Sequence, residues 1–279
     1  MLPYVDDTPS YSIPIWIFLL IAFNILFYIM SVSGGHDQYV RTIFSYGTIP
    51  ARFTQSADQP IEFDDDIISF IRGAGVKQSD WAAPLVTLFT AMFLHGGLFH
   101  LLGNMWFLWL FGDNVEDRIG KLMFPVFYII CGFCAGLLHI ALQPDSTVPA
   151  IGASGAIAGV MGAYIYLFPR GTISTLIAYW WYWTTVHISA PVYIGLWFIL
   201  QLIGGLSAGG SNVAFWAHVG GFIAGLLLAI ILGSLGLIRW FPGDRGYKDF
   251  SFLKQKPIRA TRPELLPPRR RKRYVWRDW

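Results

Sequence analysis

The chain has 279 residues, 54% of them apolar and 13% charged, with a mean hydropathy of +0.50. Soluble domains run at about 45–50% apolar and about 25% charged. That balance excludes a water-soluble globule, a nucleic-acid module and a disordered scaffold, and reads as a membrane protein. The net charge of +3 conceals an asymmetry: residues 1–238 hold 7 basic and 13 acidic side chains (−6), and residues 239–279 hold 13 and 4 (+9). A basic tail after an apolar body is expected to be cytoplasmic and held near anionic lipid rather than bound to nucleic acid.

In chain order, Ile13 to Met30 is the first candidate span, since a spanning helix needs about 20 largely apolar residues. The segment before it holds Asp6 and Asp7 but no Lys or Arg, and reads as a retained signal anchor rather than a cleaved peptide. A long polar stretch, Ser31 to Asp80, forms the first loop. Its acidic triplet Asp64-Asp65-Asp66 reads as a solvated face, and its amphipathic piece Ile67 to Ile71 suits the interface. Trp81 to Gly112 then carries no Asp, Glu, Lys or Arg, and His95-Gly96-Gly97 divides it into a partly embedded loop and a second span from Leu98. Asp113 to Lys121 is expected to be a short charged turn.

Leu122 to Gln143 is the third span and Ser154 to Phe168 the fourth. Cys131 and Cys134 inside the third make a CxxC read as buried packing, with no disulfide framework. Gly171 to Ile238 is uncharged throughout, and its aromatic cluster Tyr179-Trp180-Trp181-Tyr182-Trp183 suits a membrane–water interface. Pro191 to Leu206 is the fifth span. A small-residue turn from Ser207 to Asn212 follows, then Val213 to Leu235 as the sixth. An even count puts both termini on one side. The basic run Arg269 to Arg273 assigns that side to the cytoplasm, and the protein to a cell's inner (plasma) membrane. The expected architecture is therefore an all-α six-transmembrane-helix bundle over residues 1–238 with a long first loop, and a cytoplasmic tail over 239–279.

In this topology the chain enters spans two, four and six from outside. Polar side chains within spans are costly and are functional candidates by default. Span two opens with His95, His100 and Asn104, span four with Gly152-Ala153-Ser154-Gly155, and span six near Ala217-His218-Val219-Gly220-Gly221. His100 and Asn104 share a stripe, one turn and about 6 Å apart along the axis. Gly155, Gly159 and Ala163 repeat every fourth position in span four, as do Ala217, Gly221 and Gly225 in span six. Such stripes let helix backbones approach closely. If the two face each other, Ser154 meets His218. A serine hydroxyl needs a base within hydrogen-bond reach, and His218 is that base. The backbone N–H of Ser154, with the side chains of His100 and Asn104, can serve as oxyanion donors. No carboxylate sits at a comparable position, so the expectation is a Ser–His dyad without a third member.

His95-Gly-Gly-Leu-Phe-His100-Leu-Leu-Gly-Asn104, Gly152-Ala-Ser154-Gly155 and Ala217-His218-Val-Gly-Gly221-Phe-Ile-Ala-Gly225 resemble the three signature motifs of the rhomboid intramembrane serine proteases. The resemblance implies a six-helix rhomboid fold and cleavage of transmembrane protein substrates in or near the bilayer, with no cofactor or metal. It implies Ser154 as nucleophile, His218 as base, and His100 with Asn104 as oxyanion donors. His95 and Gly152 are candidates for substrate contact or loop support. The segment from Gly112 to Gly120, with Glu116 and Arg118, resembles the family's structural turn after the second helix.

The chain departs from the family pattern twice. Many members carry Trp-Arg where this chain has Val86 and Thr87, so the loop must be held some other way. In some members an aromatic four positions after the serine stacks on the base; here that position is Ala158. A catalytic zinc on His95, His100 and His218 is the weaker reading, because a serine is available and no carboxylate is near. His139 lies late in span three with no partner evident in the sequence, and His36 and His187 are expected to fall in loops. A client-binding relative without activity is expected to lack Ser154 or His218. A transporter would call for carboxylates inside spans, and none falls within the six assigned above. Span five and the loop from Ser207 to Ala214 are expected to act as the substrate gate.

Overall fold

The computed structural model describes residues 2–241 except 56–60, 62, 64, 78, 80 and 208–212. The basic tail beyond residue 241, the turn centred on 208–212 and Asp64 of the acidic triplet lie outside the described residues. The elements are β1 (Leu2–Asp6), α1 (Ile15–Val32), α2 (Gly35–Tyr46), α3 (Ala51–Thr54), α4 (Asp65–Gly73), α5 (Pro84–Thr90), α6 (Leu98–Ile119), α7 (Phe124–Leu142), α8 (Ser154–Leu167), β2 (Thr172–Tyr179), β3 (Tyr182–Ser189), α9 (Ala190–Ser207) and α10 (Phe215–Ser234). Helices α1, α7, α9 and α10 are each long and apolar enough to cross a membrane. The α5 segment with its 3₁₀ turn to Phe93 passes the same test jointly with α6, bent from it by 81° at the expected His95-Gly96-Gly97 break.

Helix α8 is shorter, 14 residues and so about 21 Å, against about 33 Å for the 22 residues of α6. It packs against α6, α7, α9 and α10, and Gly155 through Tyr164 are all buried. A helix enclosed by protein need not match the thickness of lipid. Being short, it has at least one end inside the length of its neighbours. The core runs from Ile17 through Leu108, Phe111, Tyr128 and Tyr164 to Ala229.

Contact between α8 and α10 is backbone on backbone. A Cβ added at Gly221 would run into the carbonyl of Gly155, and one at Gly225 into the carbonyl of Gly159. On its other side α8 meets α7, where a Cβ at Gly155 would lie 2.6 Å from that of Ala135, and one at Gly159 2.5 Å from the Cβ and Sγ of Cys131. Cys131 is a buried free thiol in this contact.

Three expectations need correction. The fold is mostly helical but not all-α, because β1, β2 and β3 form an antiparallel sheet in that order. Thr172 pairs with Ser189 and the register runs to Tyr179 opposite Tyr182. β1 adds on the other edge of β2, Leu2 opposite Leu176 and Asp6 opposite Ile173, with an irregularity between Pro3 and Val5. The physical reason is composition: Thr, Ile, Val, Tyr and Trp dominate both strands, and β-branched and aromatic side chains suit a pleated surface. The aromatic cluster sits at the hairpin tip, where Trp180, Trp181, Tyr182 and Trp183 are exposed.

The residues after Gly112 are not a turn; α6 continues through them to Ile119, with Asp113 to Ile119 all buried. A helix end this charged is tolerated because its carboxylates find partners. The Glu116 carboxylate accepts the N–H groups of Trp16 (3.3 Å) and Ile17 (3.2 Å) at the start of α1, amides that no side chain at the Pro14 cap satisfies. Asp117 accepts from Tyr11 N–H (2.7 Å) and Ser12 O–H (2.6 Å). Gly120, at φ +90°, then ends the helix in a conformation glycine adopts without strain. Finally, His36 and His187 do not fall in loops: they lie in α2 and in β3, where His187 pairs with Ser174.

The segment between α1 and α6 carries its own apolar cluster of Val40, Ile43, Phe44, Ile49, Ala51 and Leu94. It also supplies what Val86 and Thr87 do not. The Thr48 hydroxyl donates to the Thr87 carbonyl (2.9 Å), the Thr90 hydroxyl to the Tyr46 carbonyl (2.6 Å) and Arg52 to the Ala82 carbonyl (2.6 Å). The Arg52 guanidinium also lies 4.6 Å from the ring centre of Trp81.

Candidate active site

Ser154 is the first residue of α8 and His218 lies in the first turn of α10. The glycine contacts that bring the two helices together bring these side chains together: Ser154 Oγ is 2.8 Å from His218 Nε2. Both residues are only partly buried, so the pair is reachable. At the N-terminus of α8 the first backbone N–H groups have no partner within the helix and carry the positive end of its dipole.

His100 and Asn104 come from the first turns of α6 and converge on Gly152. A Cβ placed at Gly152 would lie 2.9 Å from His100 Nε2 and 3.5 Å from Asn104 Nδ2. Only glycine leaves that space open, and its φ of +123° suits glycine as well. The protonation of His100 follows from its other nitrogen. The backbone N–H of Gly96 donates to His100 Nδ1 at 3.1 Å, so in the neutral ring the proton sits on Nε2, which becomes a donor. Asn104 is 8% exposed, and its Nδ2 is buried with no hydrogen-bond partner. Two donors therefore point into the space that Gly152 leaves open, beside the N-terminus bearing Ser154. An oxygen that acquires negative charge is the partner such an arrangement suits.

His95 is 1% exposed and does not join this set. Its ring packs edge-on against that of His100, with centroids 5.2 Å apart, and its carbonyl accepts a hydrogen bond from the Tyr39 hydroxyl at 3.3 Å. These contacts tie it to Tyr39 and to the His100 ring. Among the described residues no three His, Cys, Asp or Glu side chains are grouped so as to hold a metal ion. A cleft beside Ser154 is lined by Met92, Gly132, His139, Ile151 and Ala217. His139, for which the sequence offers no partner, is thereby given a place near Ser154.

The profile described as the Rhomboid domain matches residues 82–235, more than half of the chain and all three motifs. The chain belongs to the rhomboid family. It is 32% identical to RHOMBOID-like protein 7 of Arabidopsis thaliana over 148 residues, 52% of this chain and 42% of that protein. It is 27% identical to Rhomboid protease GluP of Bacillus subtilis over 223 residues, 79% of this chain and 35% of that protein. To Rhomboid protein 1, mitochondrial, of Saccharomyces cerevisiae it is 28% identical over 167 residues, 57% of this chain and 45% of that protein. The matched region spans less than half the length of each of these relatives.

Two residues near the site escape a sequence reading of this rhomboid, and both lie on α9. Gln201 Oε1 is 2.8 Å from His218 Nδ1. The Trp197 ring lies 5.8 Å from the imidazole centre, inclined at 38°. An aromatic neighbour for His218 thus comes from α9, where Ala158 on α8 provides none. A signal for Gln201 exists in the sequence, since it is the one side-chain amide in an otherwise apolar span.

Proposed function

We propose that this rhomboid is an intramembrane serine endopeptidase that hydrolyses peptide bonds in or near transmembrane segments of membrane proteins, using a Ser154–His218 dyad. The observation that carries this reading is the 2.8 Å approach of Ser154 Oγ to His218 Nε2, residues 64 positions apart on two different helices. As Oγ attacks the substrate carbonyl carbon, its proton passes to His218 Nε2. The carbonyl oxygen becomes an oxyanion held by the Ser154 N–H, His100 Nε2–H and Asn104 Nδ2. When the intermediate collapses, the C–N bond breaks and the departing amine takes the proton from His218. Water, deprotonated by the same imidazole, then hydrolyses the ester on Ser154, releasing the acid and restoring the hydroxyl.

This reading takes α8 as a spanning element beside α1, α6, α7, α9 and α10, which gives six spans and both termini in the cytoplasm. The basic tail, residues 239–279, then lies against the anionic inner leaflet of the plasma membrane, and the dyad opens to the opposite side. The domain proper is residues 1–238. A substrate helix has its carbonyls hydrogen-bonded already, so it must unwind locally before attack. Substrates with small or helix-weakening residues near the outer end of their spans are favoured, entering past α9 and the 207–214 connection.

The test is cleavage of a generic single-span substrate in liposomes by wild type, Ser154→Ala and His218→Ala. Cleavage by wild type alone, with fluorophosphonate labelling of Ser154 that His218→Ala abolishes, is the expected result. Equal cleavage by all three removes the dyad. Absence of cleavage together with absence of labelling in wild type favours a client-binding role.

A further inference from the structure

A dyad without a carboxylate leaves one requirement unmet. Neutral imidazole has two tautomers, and only the one with its proton on Nδ1 offers an Nε2 lone pair to the serine hydroxyl. Something must therefore accept a hydrogen bond from Nδ1. We infer that Gln201, on α9, is the positioning residue that does so. Its side-chain oxygen holds the His218 Nδ1–H and thereby keeps Nε2 turned, as a base, toward Ser154. This inference rests on the dyad proposed above.

Three observations carry it. Gln201 Oε1 lies 2.8 Å from His218 Nδ1, on the side of the ring opposite the 2.8 Å contact with Ser154 Oγ. Gln201 is 8% exposed, on the buried stripe that α9 forms with Ala190 and Ile194, so bulk water does not compete for the bond. The orientation of the amide, which is ambiguous in isolation, is set by its other end. Gln201 Nε2 donates to the carbonyl of Trp197, one turn back on the same helix, at 3.1 Å. Turning the amide round would set two oxygens against each other at Trp197. It would also present an N–H to Nδ1, selecting the tautomer that cannot take the serine proton. The backbone of α9 thus dictates the amide, the amide dictates the imidazole tautomer, and the Trp197 ring limits rotation. A carboxylate in the same place would add charge to an apolar span, at the large cost of burying an ion.

The experiment compares wild type with Gln201→Met, Gln201→Glu and Gln201→Asn in liposomes, reading kcat and KM for the single-span substrate and the fluorophosphonate labelling rate of Ser154. Methionine keeps the length of the side chain and removes the acceptor. It is expected to lower kcat and the labelling rate together by roughly 10- to 100-fold, with KM within about twofold and the thermal midpoint unchanged. Glutamate keeps an acceptor oxygen and is expected to recover at least half of the loss on a logarithmic scale. Asparagine, whose oxygen falls about 1.5 Å short of a normal hydrogen bond, is expected to behave like methionine and stands in for it should Gln201→Met fail to fold.

Wild-type kcat in the methionine or asparagine variant overturns the inference, and so does a glutamate variant as slow as the methionine one. Ser154→Ala and His218→Ala run alongside separate the two levels. If they cleave normally, the dyad is lost and Gln201 with it; if they are inactive while Gln201→Met retains full activity, only the role of Gln201 is lost.

Discussion

The two ends of α6 use similar side chains in opposite ways. At the Leu98 end, His100 and Asn104 direct donors into the space over Gly152, and the Asn104 amide nitrogen is buried without a partner. At the Ile119 end Asn114, Glu116, Asp117 and Arg118 each have at least one partner, although the Asn114 side-chain oxygen makes no hydrogen bond. Asn114 donates to Asp6, Tyr164 donates to Asp6 at 2.7 Å, and the Tyr164 and Thr8 hydroxyls meet at 2.9 Å. Glu116 and Asp117 accept from the start of α1 and the segment before it, and Arg118 lies over the rings of Phe168 and Phe241. Buried donors left open carry a standing cost, and a fold retains them where something binds. Buried charges that are engaged hold segments together. The presence of polar residues is common to both ends; what differs is how far their hydrogen-bonding capacity is already filled.

The sharpest way to break this comparison is to remove a group at each end and ask which property falls. Ser154→Ala and His218→Ala are expected to lower single-span substrate cleavage by about 10⁴-fold or more, leaving thermal unfolding in detergent within about 1 kcal/mol of wild type. A large loss of stability in either variant would mean that the first turns of α8 and α10 are structural in the manner of the Ile119 end.

The next largest effect lies between the ends. Gly225→Leu drives a side chain into the backbone of Gly159, which cannot rotate away. Overpacking of this kind is expected to cost about 3 kcal/mol or more and to part α8 from α10, so stability and Ser154 labelling should fall together. Normal labelling in a destabilised Gly225→Leu protein would show that the dyad does not depend on the close approach of the two helices. Asn104→Ala is smaller: a loss of about 10²-fold in kcat with KM nearly unchanged, read from initial rates in liposomes. An unchanged kcat would remove Asn104 from the oxyanion donors.

Much of this architecture is legible from sequence because the signals are local. Runs of apolar residues mark α1, α7, α9 and α10 to within about two residues at most ends, and small residues every fourth position mark the α8–α10 contact. His95-Gly96-Gly97 marks the break before α6. What escapes is non-local or masked by averaging. In the uncharged stretch from Gly171 to Ile238, apolarity alone cannot separate a strand pair from a helix; the β-branched run Thr172 to Ser189 carries that information. Helix α2 is hidden in polar composition, although Val40, Ile43 and Phe44 have helical spacing and are buried. The charged end of α6 reads as a solvated turn because its partners, residues 6 to 17, are about a hundred positions away. Gln201 lies outside the three motif-bearing helices, and its contact with His218 joins two helices across a connection.

The smallest predicted effect tests the Ile119 end alone. Glu116 offers two oxygens to two backbone N–H groups of α1, at 3.3 and 3.2 Å, and its charge complements the positive end of that helix dipole. Gln in its place keeps one acceptor, sets an N–H against the second amide and removes the charge, while preserving shape. Stability should fall by about 1–2 kcal/mol, measured by denaturant unfolding in detergent. The rate per active site, with active sites counted by fluorophosphonate titration, should not change, because about 20 Å of helix separates Glu116 from Asn104. A fall in kcat with stability intact would mean that the engaged end of α6 also tunes the chemistry, and that the division between the two ends does not hold.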